Sequence, residues 1–313
     1  MKITNNYNLP APFLALLSRN YYSKGASQYS VTELMSPPKI KRLRERFDAD
    51  IVVDATKLIA TQLGTFMHGK LEAHEIEGYI NEERIFIDVD GVTMSGAIDL
   101  QQQVDGGIVI IDYKFVKAWS VLQHNLGKKQ DWVEQLNVYR WLVETAKKVP
   151  VKGLQICAIL KDFSSFDVGK EGYPEAEAVM LDIPMWDLEK TEAYIRERLE
   201  MHREARMAVD FGEELQPCSP EERWMSETTY AVKKEGRKTA IRVFTTMEEA
   251  TERAKKENGY VETRTGEAKR CAGDFCQVSQ WCTQYQKEKS ELSGEEGVMV
   301  GMAQEQPAGV AAV

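Results

Sequence analysis

Two aspartates and a lysine crowd one short stretch of this chain. Asp99 follows Gly96 in a G-x-x-D pattern, and Asp112-Tyr113-Lys114 forms a D-x-K triplet. Paired carboxylates with a lysine close by suit divalent-metal chemistry on a phosphodiester. Mg²⁺ takes carboxylate and carbonyl oxygens in a near-octahedral array and keeps several waters. The metal lowers the pKa of such a water, which makes it a nucleophile at neutral pH. A neighbouring lysine can orient or deprotonate that water and offset charge growing on the phosphate. Each pattern alone is weak, because surface acids and a solvated lysine at strand ends would look the same.

The surrounding elements are what position these groups. Arg84 to Asp90 alternates apolar and polar residues and ends at Asp90-Gly91, a strong hairpin signal. Val92 to Asp99 is the expected return strand, and Gln101 to Gly107 reads as a polar connection. Ile108 to Ile111 is an apolar run, expected to be a strand buried on both faces. Side chains alternate along a strand, so Asp112 and Lys114 share one face while Tyr113 points away. Upstream, Leu58, Ile59, Leu63, Phe66, Met67 and Leu71 recur at helical spacing, and Gly64, His68 and Glu72 fall on one stripe of that helix. A glycine inside a helix costs about 1 kcal/mol relative to alanine. Gly64 therefore predicts close approach of another element or ligand. Downstream, Gln135 and Tyr139 lie one turn apart on a helix expected to pack Trp132, Leu136 and Val143 on the sheet.

The order G-x-x-x-H, G-x-x-D, D-x-K, Q-x-x-x-Y, from Thr61 to Tyr139, resembles the RecB-like branch of the PD-(D/E)XK nucleases. That resemblance implies an α/β, restriction-endonuclease-like core, a mixed central sheet flanked by helices. It implies a Mg²⁺ or Mn²⁺ ion held by His68, Asp99, Asp112 and the Tyr113 carbonyl. Asp99, Asp112 and Lys114 are then the catalytic residues, and Gln135 and Tyr139 position the substrate. Ile98 stands before the first acid where the family name has proline.

Five cysteines remain: Cys157, Cys218, Cys271, Cys276 and Cys282. The last three are spaced C-x4-C-x5-C. The opening residues carry no charged n-region or long apolar core, so disulfides are not expected. A metal centre is favoured instead, with Cys218, in a Pro-flanked loop, as the fourth ligand. Cys157 lies in an apolar strand and reads as a structural thiol. Several RecB-like nucleases tie their C-terminal end with an iron–sulfur cluster on one distant cysteine plus a triplet. This chain has a one-plus-three layout, but its distant cysteine follows the core, and the first gap is wider than usual. An iron–sulfur cluster is expected, with zinc as the alternative.

At 313 residues and 43% hydrophobic content the chain can bury a full core. No run is long enough to span a membrane. A net charge of −9 argues against a protein that coats DNA indiscriminately, although acids at a metal site are compatible with cutting it. The sequence divides into an N-terminal helical portion (1–82), a nuclease core (83–210), a cysteine-tethered module (211–286) and a disordered tail (287–313). A cytoplasmic protein of a bacterium or its phage is expected. No G-x-x-x-x-G-K-[ST] motif is present, so any ATP-driven unwinding falls to a partner. Expected partners are DNA and a helicase, recombination or strand-annealing protein. The leading function is a metal-dependent DNA exonuclease. A noncatalytic nucleic-acid-binding protein and a site-specific endonuclease are the alternatives.

Overall fold

The computed structural model describes residues 1–19 and 23–291. They form two compact units: Met1–Lys41 with Val52–Glu213, and Arg42–Ile51 with the chain from Glu214 on. In the first unit β1 (Lys2–Thr4) precedes α1 (Ala11–Leu17), β2 (Tyr29–Ser30) and α2 (Val31–Met35). Ser30 and Glu33 close a reciprocal capping box at the start of α2, as the Ser-Val-Thr-Glu spelling predicts. Pro38 then opens α3 (Pro38–Phe47), which runs into the second unit. Next come β3 (Val52–Asp54), parallel to β1, and α4 (Ile59–Glu72).

The core is a mixed six-stranded sheet. Its strands are β2, β4 (Tyr79–Val89), β5 (Val92–Val104), β6 (Gly107–Val116), β7 (Val151–Leu160) and β8 (Ala178–Asp182). The helices α5 (Ala118–Asn125), α6 (Gln130–Leu142) and α7 (Leu188–Phe211) complete the unit. The chain thus has the α/β architecture that the motifs imply. The Asp90-Gly91 turn sets the β4–β5 register, with Val89 opposite Val92. β5 continues past Asp99 to Val104, so Gln101–Val104 is strand and not connection. The polar residues are accommodated by pairing with Ile108–Ile111 and by hydrogen bonds: Gln101 is buried, yet donates to Glu83 and accepts from Lys147. Helix α6 is buried on nearly every side, including Trp132, Leu136 and Val138.

One strand edge decides the shape of the site. On that edge β5 carries β2 over its first half, at Met94 and Ser95, and β6 over its second half, from Leu100 onward. Between Ser95 and Leu100 that edge has no strand partner among the described residues. β6 leaves β5 after Ile111 and continues beside β7. The sheet therefore forks, with Asp99 on one arm and Asp112 and Lys114 on the other.

In the second unit, β9 (Thr229–Lys233) is flanked by β10 (Arg242–Phe244) and β11 (Tyr260–Arg264), both antiparallel to it. Helix α8 (Met247–Glu257) buries Ala250 and Ala254 against Val232. A short helix, α9 (Lys269–Ala272), begins the cysteine triplet. Residues 283–291 are helical, which corrects the disordered reading for 287–291; the rest of that expected tail lies outside the described residues.

Candidate active site

The fork is bridged by Asp99 itself. Its Oδ2 accepts a 2.8 Å hydrogen bond from the Tyr113 backbone N–H on the diverging arm. The other oxygen, Oδ1, lies 3.6 Å from His68 Nδ1. That same imidazole nitrogen lies 3.0 Å from Glu82 Oε1. His68, Glu82 and Asp99 each offer a ligand atom, and these atoms lie within 4.8 Å of one another. One imidazole and two carboxylates suit a divalent cation of the magnesium-to-manganese type.

Glu82 was not among the residues singled out from sequence. It stands opposite Asp99 in the β4–β5 ladder, between the pairs Asn81–Leu100 and Glu83–Ile98. Its backbone is left-handed, φ 46°, in the middle of a strand. A non-glycine residue held there costs on the order of 1 kcal/mol, and such strain concentrates at functional sites. The distortion breaks the ladder at the position where the Glu82 carboxylate meets His68.

Helix α4 supplies His68 but not in the setting its apolar stripe predicts. No residue of α4 is buried, and Leu63 and Phe66 are more than half exposed. A Cβ at Gly64 would meet no atom within 4 Å, so the expected close approach is not made by the described protein.

Asp112 is 1% exposed at the end of the apolar run of β6. It forms a second cluster with Lys114, whose ammonium lies 2.6 Å from Asp112 Oδ2. Lys114 also donates to Gln135 Oε1 at 3.0 Å, and Gln135 Nε2 contacts Asp112 Oδ1 at 3.3 Å and Tyr139 Oη at 3.0 Å. Gln135 and Tyr139, one turn apart on α6, thus buttress the D-x-K pair. Asp112 is outside the group of three that gathers around His68. Tyr113 points its side chain to the other face of β6, where its ring stands edge-on to the His68 ring at 6.3 Å, level with Cys157 of β7.

Electrostatics make both clusters ready for a cation. Burial, and then the facing Asp112 carboxylate, push Asp99 up to about 7. Glu82, through its hydrogen bond, raises the His68 pKa against the effect of burial, and Asp99 adds to it. For Lys114, burial works to depress the pKa, but the charge of Asp112 outweighs it and holds the ammonium above its ordinary value. The His68 imidazole stands between the Glu82 and Asp99 carboxylates.

A pH prediction follows. Asp99 has a folded pKa above its unfolded 3.8, so the native state binds the extra proton. Its contribution to stability is lost as pH rises from about 4 to about 7. His68 acts in the same direction, since its raised pKa also favours the protonated fold. The melting temperature of chelator-treated protein should therefore be lower at about pH 8 than at about pH 5. Added Mn²⁺ should narrow that gap. A chelated protein that melts higher at the alkaline end would contradict the arrangement.

Gly96 has a steric reason in the G-x-x-D pattern. A Cβ there would stand 2.6 Å from Leu142 Cδ1 and 3.0 Å from the Tyr139 ring. Both side chains are buried, so neither can swing away freely. Gly96→Ala should cost about 1–3 kcal/mol by overpacking. It should also displace Tyr139 and through it Gln135. Equilibrium denaturation measures the first effect; unchanged stability would show that α6 yields easily.

A forked mixed sheet with an acid on one arm and a D-x-K triplet on the other defines a nuclease fold. The chain belongs to the PD-(D/E)XK nuclease superfamily, whose family model matches residues 41–283. Among curated proteins no relative matches. Of solved structures, the protein SSO0001 is 16% identical, covering 61% of this chain and 82% of its own, with a TM-score of 0.38. A protein from Eubacterium rectale named "Putative exonuclease" is 14% identical, covering 51% of this chain and 54% of its own, with a TM-score of 0.27. No helix among the described residues is long and apolar enough to cross a membrane.

Proposed function

We propose that this chain is a metal-dependent deoxyribonuclease of the RecB-like branch that works on DNA ends. The observation that carries the reading is the fork, which sets the His68, Glu82 and Asp99 donors beside the Asp112–Lys114–Gln135 cluster. A bound Mg²⁺ or Mn²⁺ supplies Lewis acidity to the phosphoryl oxygen and to the attacking water. His68, Glu82 and Asp99 would hold that ion, with Asp112 and the Tyr113 carbonyl as further donors. Lys114, held as an ammonium, would orient the attacking water and offset the charge that builds on the phosphate. Gln135 fixes the Lys114 ammonium, and Tyr139 fixes Gln135. Burial of Asp112 strengthens its own charge interactions, because little water screens it.

A second metal centre belongs to the same reading. Cys218, Cys271, Cys276 and Cys282 are its ligands, an iron–sulfur cluster the first choice and zinc the second. Cys276 and Cys282 are buried, and the Cys276 thiol is pushed up by burial with Cys271 and Cys282 close enough to add to the effect. The Gln284 side chain clamps Cys218 from both sides, accepting from its N–H at 2.9 Å and donating to its carbonyl at 3.1 Å.

The test is incubation of purified protein with end-labelled linear and circular DNA, with Mg²⁺, Mn²⁺ or chelator. Metal-dependent loss of label from linear DNA alone is expected. Cutting of the circle would make the enzyme an endonuclease. Binding of DNA with no cutting under any metal would replace the enzyme with a noncatalytic binding protein. His68→Ala and Glu82→Ala should each raise the Mn²⁺ concentration needed for half-maximal cutting.

A further inference from the structure

The connection between β9 and β10 carries four charges that the candidate active site does not use. Lys234, Glu235, Gly236, Arg237 and Lys238, together with Tyr260, line a surface cleft of about 650 Å³. All six lining residues are exposed. The turn has fixed geometry: Gly236 takes φ 77°, and the Arg237 N–H donates to the Lys234 carbonyl at 3.1 Å. Tyr260 opens β11 directly across from Lys233 of β9, so its ring stands at the end of the sheet from which the turn projects. Gly259 allows that approach, since a Cβ there would meet the Lys233 carbonyl oxygen at 2.3 Å. Lys233 is bound to Glu262, but Lys234, Arg237 and Lys238 form no ion pair with any described residue.

Three cations without an ion-pair partner among the described residues gather at one turn of a chain whose net charge is −9. A solvated turn would need neither the concavity nor the aromatic ring on its wall. Cations that follow a backbone beside an exposed ring are the arrangement by which proteins hold single-stranded nucleic acid. Phosphates meet the cations and a base stacks on the ring. Duplex DNA keeps its bases stacked on one another and offers no face to Tyr260. Glu235, the single carboxylate in the lining, repels phosphate and leaves room for contact with a base edge.

We propose that this cleft is a binding site for a single-stranded polynucleotide. Lys234, Arg237 and Lys238 take successive phosphates, and Tyr260 stacks on a base. The inference rests on the nuclease reading only for the identity of its ligand, and its test does not require cutting.

The experiment is fluorescence anisotropy of the full chain with labelled oligothymidylate of about 12 nucleotides. It is run in chelator across a range of KCl concentrations, with a duplex of equal length beside it. Lys234→Ala/Arg237→Ala/Lys238→Ala should weaken binding. It should also flatten the log Kd against log[salt] slope by about 2, from three lost contacts at about 0.7 each. Tyr260→Ala should weaken single-strand binding about tenfold, and Tyr260→Phe should restore it. These substitutions lie at exposed side chains, and circular dichroism checks that the fold persists. Wild-type affinity and slope in the triple variant would overturn the proposal. So would equal loss of single-strand and duplex binding on changing Tyr260, or failure of wild-type protein to bind the oligonucleotide. Absence of Mn²⁺-dependent cutting by a protein that still binds through this cleft would overturn the nuclease reading and leave the cleft intact.

Discussion

Lys114→Ala is expected to lower DNA cleavage by about 10²–10³-fold, the range that loss of one positioned group stabilising transition-state charge costs. It should do so without abolishing metal binding, because the ammonium contacts Asp112 and Gln135 and not the donors around His68. The structure adds a second effect. Asp112 is 1% exposed, and Lys114 is its neutralising partner. Truncating the lysine leaves a buried carboxylate uncompensated, which costs about 3 kcal/mol and somewhat less where water reaches the site. The Lys114 side chain is 24% exposed, so the lower side of that figure applies. The variant should melt earlier than wild type in chelator and recover much of the loss when Mn²⁺ is added. Asp112→Asn should be equally inactive yet more stable in chelator than Lys114→Ala, since it removes the charge that needed a partner. Wild-type-like cutting by either variant would remove the D-x-K pair from the mechanism. Scanning calorimetry with and without metal separates the chemical loss from the structural one.

Serine at any one of Cys218, Cys271, Cys276 or Cys282 is expected to release the second metal centre and loosen the unit that holds it. That unit has a small apolar cluster centred on Val232, Ala250 and Ala254, so ligation would supply much of its folding free energy. Structural zinc in zinc-finger peptides contributes about 10 kcal/mol or more. Among the described residues no three cysteine sulfurs lie within 4.8 Å of one another. Tetrahedral zinc at thiolate distances of about 2.3 Å needs sulfurs about 3.8 Å apart. A cluster of several iron and sulfide ions accepts wider spacing with less movement of the chain. Protein purified without oxygen should therefore be brown and contain iron and acid-labile sulfide. One zinc per chain in colourless protein would assign zinc. Four freely reactive thiols and no metal would remove the centre. The Arg223 guanidinium lies beside Cys271. Cys157→Ser should keep the metal, because Cys157 sits in β7 of the other unit.

Much of the site could be read from local spacing. The alternation along Ile108–Lys114 correctly put Asp112 and Lys114 on one face and Tyr113 on the other, and helical spacing placed Gln135 with Tyr139. Glu82 was readable in principle. It lies eight residues before Asp90, and Asp99 lies eight after Gly91, so the hairpin turn alone sets them opposite each other. Its local sequence hides it, because Asn81-Glu82-Glu83 looks like a solvated approach to a strand that begins at Arg84. The strand begins at Tyr79, and its paired glutamines carried β5 further than polarity implied. The fork was beyond local reasoning, since it depends on where β2 stops and β6 starts along one edge of β5. The exposure of α4 was likewise invisible, because periodicity shows that a helix has an apolar side but not that anything covers it.

The hydrogen bond from the Tyr113 amide to Asp99 makes one side chain serve two masters. One oxygen is a strut between diverging strands, and the other faces the ligand cluster. Genetics at position 99 therefore mixes architecture with chemistry. Alanine removes strut and ligand together, and an inactive Asp99→Ala protein would say nothing about which was lost. Asparagine keeps an oxygen to accept the amide and gives up the anionic charge, so it isolates the chemical role. The corresponding architectural probe is at the other end of the strut, where an ester in place of the 112–113 peptide bond would delete the donor and leave both carboxylates untouched.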